Sequence, residues 1–407
     1  MTTYPIPPLT YDQQREAIMT FVLGLVAETP AEKFVYRPGP QRKAVLAGRK
    51  VLDKYACAEC HTLQMEQWAF EFDPAKFLAP RPTADYEFLK PQIPPEQLAA
   101  SRRTDLRGLA SAELEGMPRL EAAGKIVADE DDEGRPVCFF TLWEPAAIDG
   151  RVWSVGGADV TIALAQITRK HPPLGGTLAR LLYPVALKQG RGAGFNGAEA
   201  EAWGWLPPPL VHEGAAVQPA WLYDYLLRPY LIRPAAVLRM PQFSISAAEA
   251  GKLVDYFAAV SGVAFPYTSG TPRQADDFHD PRRRLDEAAS LLLDRTMYCA
   301  KCHLIGDDTP GGELRTILAP NLGQAERRLR PEYIGRWLAN PRSVLPYTPM
   351  PVNFPPAGPP LGQDLFPGSS QQQLDAVANL LLNYHEYRLW RATTPRPAPP
   401  HPPAQRE

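Results

Sequence analysis

The amino-acid sequence predicts a mainly α fold made of two copies of one unit, the first interrupted by a large β-containing insertion, with long proline-rich loops. Three observations lead there. Apolar residues recur at i, i+3, i+4 and i+7 in three segments, each an amphipathic helix. A short cysteine–histidine motif occurs twice, and the stretches behind its two copies match at equal spacing. Proline numbers 46 of 407 residues, about 11% against a usual ~5%, so much of the backbone must run as extended loop. Composition sets the outer bounds. Hydrophobic residues at 45% and charged residues at 22% exclude end-to-end disorder. Lys+Arg 43 against Asp+Glu 45 argues against a general nucleic-acid binder, which carries a basic excess. At roughly 100–200 residues per domain the chain should hold two to four domains. The longest apolar stretch, Ala17–Ala27, is broken by Thr20 and Gly24 and falls short of the ~20 residues of a membrane span. The opening residues MTTYPIPPLT lack the basic start of a secretory leader.

The cysteines carry the chemistry. They are Cys57, Cys60, Cys138, Cys299 and Cys302, an odd number that excludes a disulfide framework of all five. Four of them form Cys57-Ala-Glu-Cys60-His61 and Cys299-Ala-Lys-Cys302-His303. C-x-x-C-H is the attachment signature of c-type haem. Two thiols three residues apart on one helical turn each reach a vinyl group of one porphyrin, and the adjacent histidine points at the iron. A zinc site built from both pairs is the competing reading. Zinc pairs ordinarily lie ~15–20 residues apart, whereas 238 residues separate Cys60 from Cys299. A redox dithiol would not need the histidine. Cys138, in Pro-Val-Cys-Phe-Phe, reads as a buried small hydrophobe.

Both motif segments resemble class I cytochrome c domains. The chain as a whole resembles the multidomain c-type cytochromes of planctomycete-like bacteria. The resemblance implies two covalently bound haem c groups, on Cys57 and Cys60 and on Cys299 and Cys302, with His61 and His303 as proximal iron ligands. It also implies that a methionine from a later loop completes each iron's sixth position.

An internal repeat selects those methionines. Behind the first motif the chain reads Leu206-Pro-Pro-Pro-Leu210, then Gln218-Pro-Ala-Trp-Leu-Tyr-Asp-Tyr-Leu-Leu-Arg-Pro229, then Arg239-Met240-Pro241. Behind the second it reads Leu318-Ala-Pro-Asn-Leu322, then Arg330-Pro-Glu-Tyr-Ile-Gly-Arg-Trp-Leu-Ala-Asn-Pro341, then Pro349-Met350-Pro351. Pro208 to Pro219 and Pro320 to Pro331 both span 11 residues, and Pro219 to Pro229 and Pro331 to Pro341 both span 10. Equal spacing at matching residue types marks a repeated unit. Met240 and Met350, each before a proline, are therefore assigned as axial thioethers. His/Met ligation raises a haem's reduction potential. Met117, in Gly-Met-Pro, is the rival at the first haem. Met65 and Met297 lie too near their own motifs to cross to the distal face. The resemblance further assigns Pro208 and Pro320 as the carbonyls that accept the proximal histidine's other N–H, which fixes the imidazole. Trp221, Tyr225, Tyr333 and Trp337 are expected to wall the haem crevices.

The remaining elements follow in chain order. Residues 1–30 hold a helix at 10–26, with Ile18, Phe21, Val22 and Leu25 as its stripe and Thr10…Gln13 as its capping box. No C-x-x-C-H precedes it. It is expected to be the closing helix of an upstream domain missing from this chain, the alternative being a separate helix packed on the first domain. Residues 31–262 form the first cytochrome c domain and 284–390 the second. In class I cytochromes c the last helix crosses the first, so the helices at 246–261 and 370–387 should pack on those at 41–55 and 284–297. Their boxes are Ser246…Glu249 and Ser370…Gln373. Gly48, nine residues before Cys57, sits where the resembled family uses a small residue for the crossing, and Ala289 serves, less well, in the second domain. His303 to Leu318 is 15 residues but His61 to Leu206 is 145, so an insertion of about 130 residues occupies roughly 66–200 of the first domain. From about 112 to 170 it reads as strands, with Asp149-Gly150 as a turn and residues 128–135 as an acidic, solvated hairpin turn. Residues 178–205 read as helix, then loop. His171 and His212 are expected to be structural. A linker at 263–283 and a disordered Pro-rich tail at 391–407 complete the chain.

Two irons closed on both sides leave no open position for substrate and pass electrons instead. The expectation is an electron-transfer protein rather than an enzyme, working between redox protein partners on the periplasmic side, beside a membrane respiratory complex. Two alternatives stay open. One is a dihaem peroxidase-like enzyme with a labile ligand on one iron. The other is a haem-bearing docking subunit of a larger membrane complex.

Overall fold

The computed structural model describes residues 10–27, 36–71, 119–130, 134, 136–142, 146–148, 151–153, 159–163, 167–188, 202–234, 236, 238–263, 284–294, 299–307, 319–345, 348–355 and 358–394. The rival Met117, Met297, residues 264–283 of the linker and residues 395–407 of the tail lie outside them. The chain divides into two compact units, Met1–Lys43 and Ala44–Glu407. In the first, helix α1 (Tyr11–Ala27) opens on the expected box: Thr10 N donates to Gln13 Oε1 at 2.9 Å, and Gln13 N to Thr10 Oγ1 at 3.4 Å. Its stripe residues Ile18, Phe21 and Val22 are exposed.

Helix α2 (Pro40–Lys54) runs into the second unit and buries Gly48, Val51 and Leu52. The short helix α3 (Cys57–Cys60) follows, then strands β1 (Thr62–Gln64), β2 (Gln67–Glu71), β3 (Arg119–Glu130), β4 (Pro136–Leu142), β5 (Ala146–Ile148), β6 (Arg151–Trp153), β7 (Asp159–Ala163), β8 (Ile167–His171) and β9 (Leu174–Gly175). Five of them form an antiparallel sheet in the order β7-β4-β3-β2-β8. β3 and β4 make a hairpin closing at Glu130 opposite Pro136. Ala128, Asp129 and Glu130, expected in the turn, therefore belong to a strand. Cys138 lies on β4 opposite Ala128 and Ile162. β5 and β6 pair with Ile148 opposite Arg151, on either side of the expected Asp-Gly turn; residues 149–150 lie outside the described ones. The ribbon β1–β9, with Thr62 opposite Gly175, brings the returning chain back beside the first motif. Gly175 (φ 83°) sits against the His61 carbonyl, where a Cβ would overlap it. Only glycine combines that backbone angle with that approach.

Helices α4 (Thr177–Lys188), α5 (Glu213–Ala216), α6 (Pro219–Leu227) and α7 (Ala247–Val260) come next. α2, α5, α6 and α7 enclose one hydrophobic core, with Val51, Leu52, Trp221, Leu222, Leu253 and Phe257 buried. Beyond lie α8 (Leu285–Leu293), α9 (Ala325–Arg328), α10 (Pro331–Ala339), α11 (Pro341–Val344), α12 (Ser370–Leu382) and α13 (Tyr384–Thr393). α8, α10 and α12 enclose a second core around Leu291, Leu292, Ile334, Leu338, Phe354, Phe366 and Leu380. The described part is mainly helical, in line with the sequence.

The expected helix pairs form. α2 meets α7 at Gly48, whose missing Cβ leaves room for Tyr256 and the Lys252 carbonyl. α8 packs on α12, with Ala289 1% exposed. Ser246 and Glu249 form a full capping box. The third box falls one residue earlier than expected, on Ser369 and Gln372. That shift turns Gln373 inward, where its Nε2 donates to the carbonyls of Phe366 (2.8 Å) and Leu361 (3.2 Å). Residues 391–393, expected in the tail, end α13, because Arg391 pairs with Asp286 and lies over the Trp390 ring. Among the described residues no helix is long and apolar enough to cross a membrane.

Candidate functional site

Both C-x-x-C-H segments fold into a single tight turn. At the first, Ala56 adopts a left-handed conformation (φ 52°, ψ 37°) and redirects the chain from α2 into α3. A non-glycine residue there costs about 1–2 kcal/mol, offset by the contacts that follow. His61 N donates to Cys57 O at 3.0 Å, and at the second motif His303 N donates to Cys299 O at 2.9 Å. The fold then adds the same two bonds at each site. His61 Nδ1 lies 2.8 Å from Pro208 O, and His303 Nδ1 lies 2.7 Å from Pro320 O. Leu210 N donates to Thr62 O at 2.9 Å, and Leu322 N to Leu304 O at 2.8 Å. The equivalence holds although Pro208 follows His61 by 147 positions and Pro320 follows His303 by only 17.

A carbonyl only accepts, so in both imidazoles Nδ1 carries the proton and Nε2 keeps its lone pair. Burial pushes the pKa of both histidines below the ordinary value and so favours the neutral ring. The Pro208 and Pro320 carbonyls oppose that shift in part, and at His61 the Arg233 cation adds to it. A neutral, oriented imidazole with Nε2 unprotonated is the ligand form that iron requires. Burial also raises the Cys57 thiol and pushes Cys299 up to about 12. Among the described residues no three His, Cys, Asp or Glu side chains gather into a metal-binding group. The donor set at each motif, two thiols one turn apart beside an oriented histidine, fits a covalently attached haem.

The other assigned residues divide between the two cores. Met240 packs against the first and Met350 against the second. Trp337 Nε1 donates to Met350 Sδ at 2.9 Å. The aromatic pairs occupy equivalent helices: Trp221 stacks on Tyr225 (5.0 Å between centroids, 18°) and Tyr333 on Trp337 (5.8 Å, 23°). Tyr333 also packs against the first core, although it belongs to the second copy. His171 ends β8, and His212 precedes α5.

Sequence reasoning missed three residues. Arg233 is half-buried, with its pKa lowered to about 10 by desolvation, and it donates to the carbonyls of Gly204 and Leu206. It thereby fastens the loop that delivers Pro208. Asn321 does the same at the second site. Its Oδ1 accepts from Gly306 N at 2.9 Å, and its Nδ2 donates to Gly306 O at 2.8 Å. Its place beside Pro320 was a usable signal, since asparagine there suits a backbone-bridging turn. Arg330 bonds carbonyls of the first copy, and nothing in the sequence announces that contact.

Comparison with protein-family models, with curated proteins and with solved structures finds no match to this chain.

Proposed function

We propose that this protein is a dihaem c-type cytochrome of class I architecture, with two tandem domains, that moves electrons between redox protein partners. The reading is carried by one observation: a C-x-x-C-H turn whose histidine Nδ1 is bonded to a proline carbonyl occurs twice, with matched distances. In this reading Cys57, Cys60, Cys299 and Cys302 anchor the porphyrins. His61 and His303, together with Met240 and Met350, would supply the iron ligands. When bound, each haem supplies one-electron exchange between Fe(III) and Fe(II).

The chain's own part is to orient and to shield. The Pro208 and Pro320 carbonyls hold each imidazole in one rotation and one tautomer. Arg233 and Asn321 hold the loops that carry those carbonyls. The Trp337 N–H withdraws electron density from the Met350 sulfur, which weakens it as a donor and favours the reduced state. Haem c attachment sets the expected location on the periplasmic side, near a membrane respiratory complex.

The test is absorption spectroscopy of the oxidised and reduced protein beside Met240→Ala and Met350→Ala. Each variant is expected to lose the weak Met-to-iron charge-transfer band of one haem. Retention of the full band in both variants would refute the ligand assignment.

A further inference from the structure

The two copies of the repeat touch each other through equivalent residues. Val217 and Leu329 form an isolated antiparallel bridge. The two residues hold the same repeat position, because from Leu206/Leu318 through Pro229/Pro341 each residue of the second copy lies 112 further along the chain. The main chain is reciprocal around them: Gln218 N donates to Arg328 O and Arg330 N to Ala216 O, both at 2.9 Å. The side chains are reciprocal too. Gln218 Nε2 donates to Leu329 O and Glu326 O, each at 3.2 Å. Arg330 Nε donates to Val217 O at 3.1 Å and Gly214 O at 3.0 Å. Every partner in one set becomes its counterpart in the other on shifting by 112. A contact in which residue i meets j and j meets i is the signature of a two-fold axis. A local pseudo-two-fold axis therefore passes through the 217–329 bridge.

The seam is placed with respect to both candidate sites. Val217 lies nine residues after Pro208, and Leu329 nine after Pro320, the two carbonyls on the histidines. Immediately after the seam each chain enters its aromatic helix. The Arg328 guanidinium sits 5.1 Å from the Trp221 ring of the other copy. Trp221 Nε1 donates to Tyr230 Oη at 2.7 Å, which donates to Gln324 Oε1 at 3.3 Å. Both aromatic helices thus start from one continuous, hydrogen-bonded contact.

We propose that this seam is the internal electron junction of the molecule, joining the two haem sites across segments 214–218 and 326–330. The inference rests on the two-haem reading. One iron goes from Fe(II) to Fe(III) as the other goes from Fe(III) to Fe(II), and no proton or bond changes hands. The reciprocal hydrogen bonds tie together the segments that follow Pro208 and Pro320, and so hold the two sites in one fixed relation. Exchange inside one molecule then replaces encounter between molecules.

The test uses the full haem-loaded chain. Haem content is measured first, by mass. A small fraction is then reduced by a light pulse through an added flavin photosensitiser and sacrificial electron donor, and redistribution of the electron between the two haems is followed. In the native chain the rate is expected to be independent of protein concentration. In the double variant Gln218→Ala/Arg330→Ala, with two haems and both Met-to-iron bands retained, it is expected to fall about tenfold or more as the fixed geometry is lost. A native rate in that variant overturns the junction. So does a rate in the native chain that rises in proportion to concentration, and this measurement decides alone if the variant does not fold. A chain free of haem overturns the two-haem reading and the junction with it.

Discussion

Gly48 and Trp337 each act through a single contact. At Gly48 the backbone of α2 approaches Tyr256 so closely that a Cβ would overlap its side-chain stem and the Lys252 carbonyl. Those atoms belong to α7 and cannot give way without moving the helix. Gly48→Ala should therefore destabilise the first core, by about 1–3 kcal/mol as overpacking does, read as a lower denaturant midpoint at unchanged slope. An unchanged midpoint would show that the crossing is loose. Trp337→Phe keeps the ring and removes the N–H that Met350 Sδ accepts. Under the two-haem reading the potential of the second haem should fall by about 20–60 mV, the equivalent of the ~0.5–1.5 kcal/mol of a net hydrogen bond. The first haem should not shift. Legibility differed at this scale. Gly48 was readable because its place before the motif calls for a small residue. The partner of Met350 was not, because the 13 residues from Trp337 place it by tertiary folding rather than by helical periodicity.

Among the elements, the α2–α7 pair shows how a cap and a crossing share one residue. Glu249 closes the capping box on Ser246 and also reaches Lys54 Nζ at 2.6 Å. The Tyr55 hydroxyl lies 3.0 Å from its other oxygen. The Lys54 bond, then the Ser246 N–H and hydroxyl, hold its carboxyl down to about 2, and the same contact raises Lys54. A folded-state pKa below the unfolded value contributes stability that is present above the ordinary carboxylate pKa and lost as pH falls toward about 2. Unfolding measured between pH 5 and pH 2, about the ordinary carboxylate range and below, should lose part of its acid sensitivity in Glu249→Gln. An unaltered acid profile would contradict this. The caps show what sequence resolves at this scale. Thr10 and Ser246 were placed correctly, each being the one hydroxyl with an amide or acid three residues on. At Ser369-Ser370 two hydroxyls stand before three glutamines, and burial of Gln373 under the Phe366 and Leu361 carbonyls chose between them.

At the scale of the whole molecule, two hydrophobic cores and two matched histidine turns lie in one compact unit. Much of the candidate site was legible, because a repeat read at an offset of 112 aligns Pro208 with Pro320, and the shared Met-Pro pair, at an offset of 110, matches Met240 with Met350 without any knowledge of the fold. The turn itself is local, each histidine N–H bonding the carbonyl of the first cysteine four residues back, and the proline that meets the histidine is marked by its place in the repeat rather than by its distance from the motif. The reciprocal grip of Gln218 and Arg330 was not legible. A repeat reveals which positions are equivalent, but not that equivalent positions touch each other. The return of the insertion to Gly175 beside His61 was hidden for a similar reason, since strand pairing across more than a hundred residues leaves no spacing to read. The central claim is that two porphyrins are covalently held at Cys57/Cys60 and Cys299/Cys302. The most direct measurement is the intact mass of the protein made in a host able to attach haem. The account predicts a mass above that of the polypeptide by two haem groups, falling by one group when either cysteine pair is changed to alanine. A mass equal to that of the bare polypeptide would contradict it.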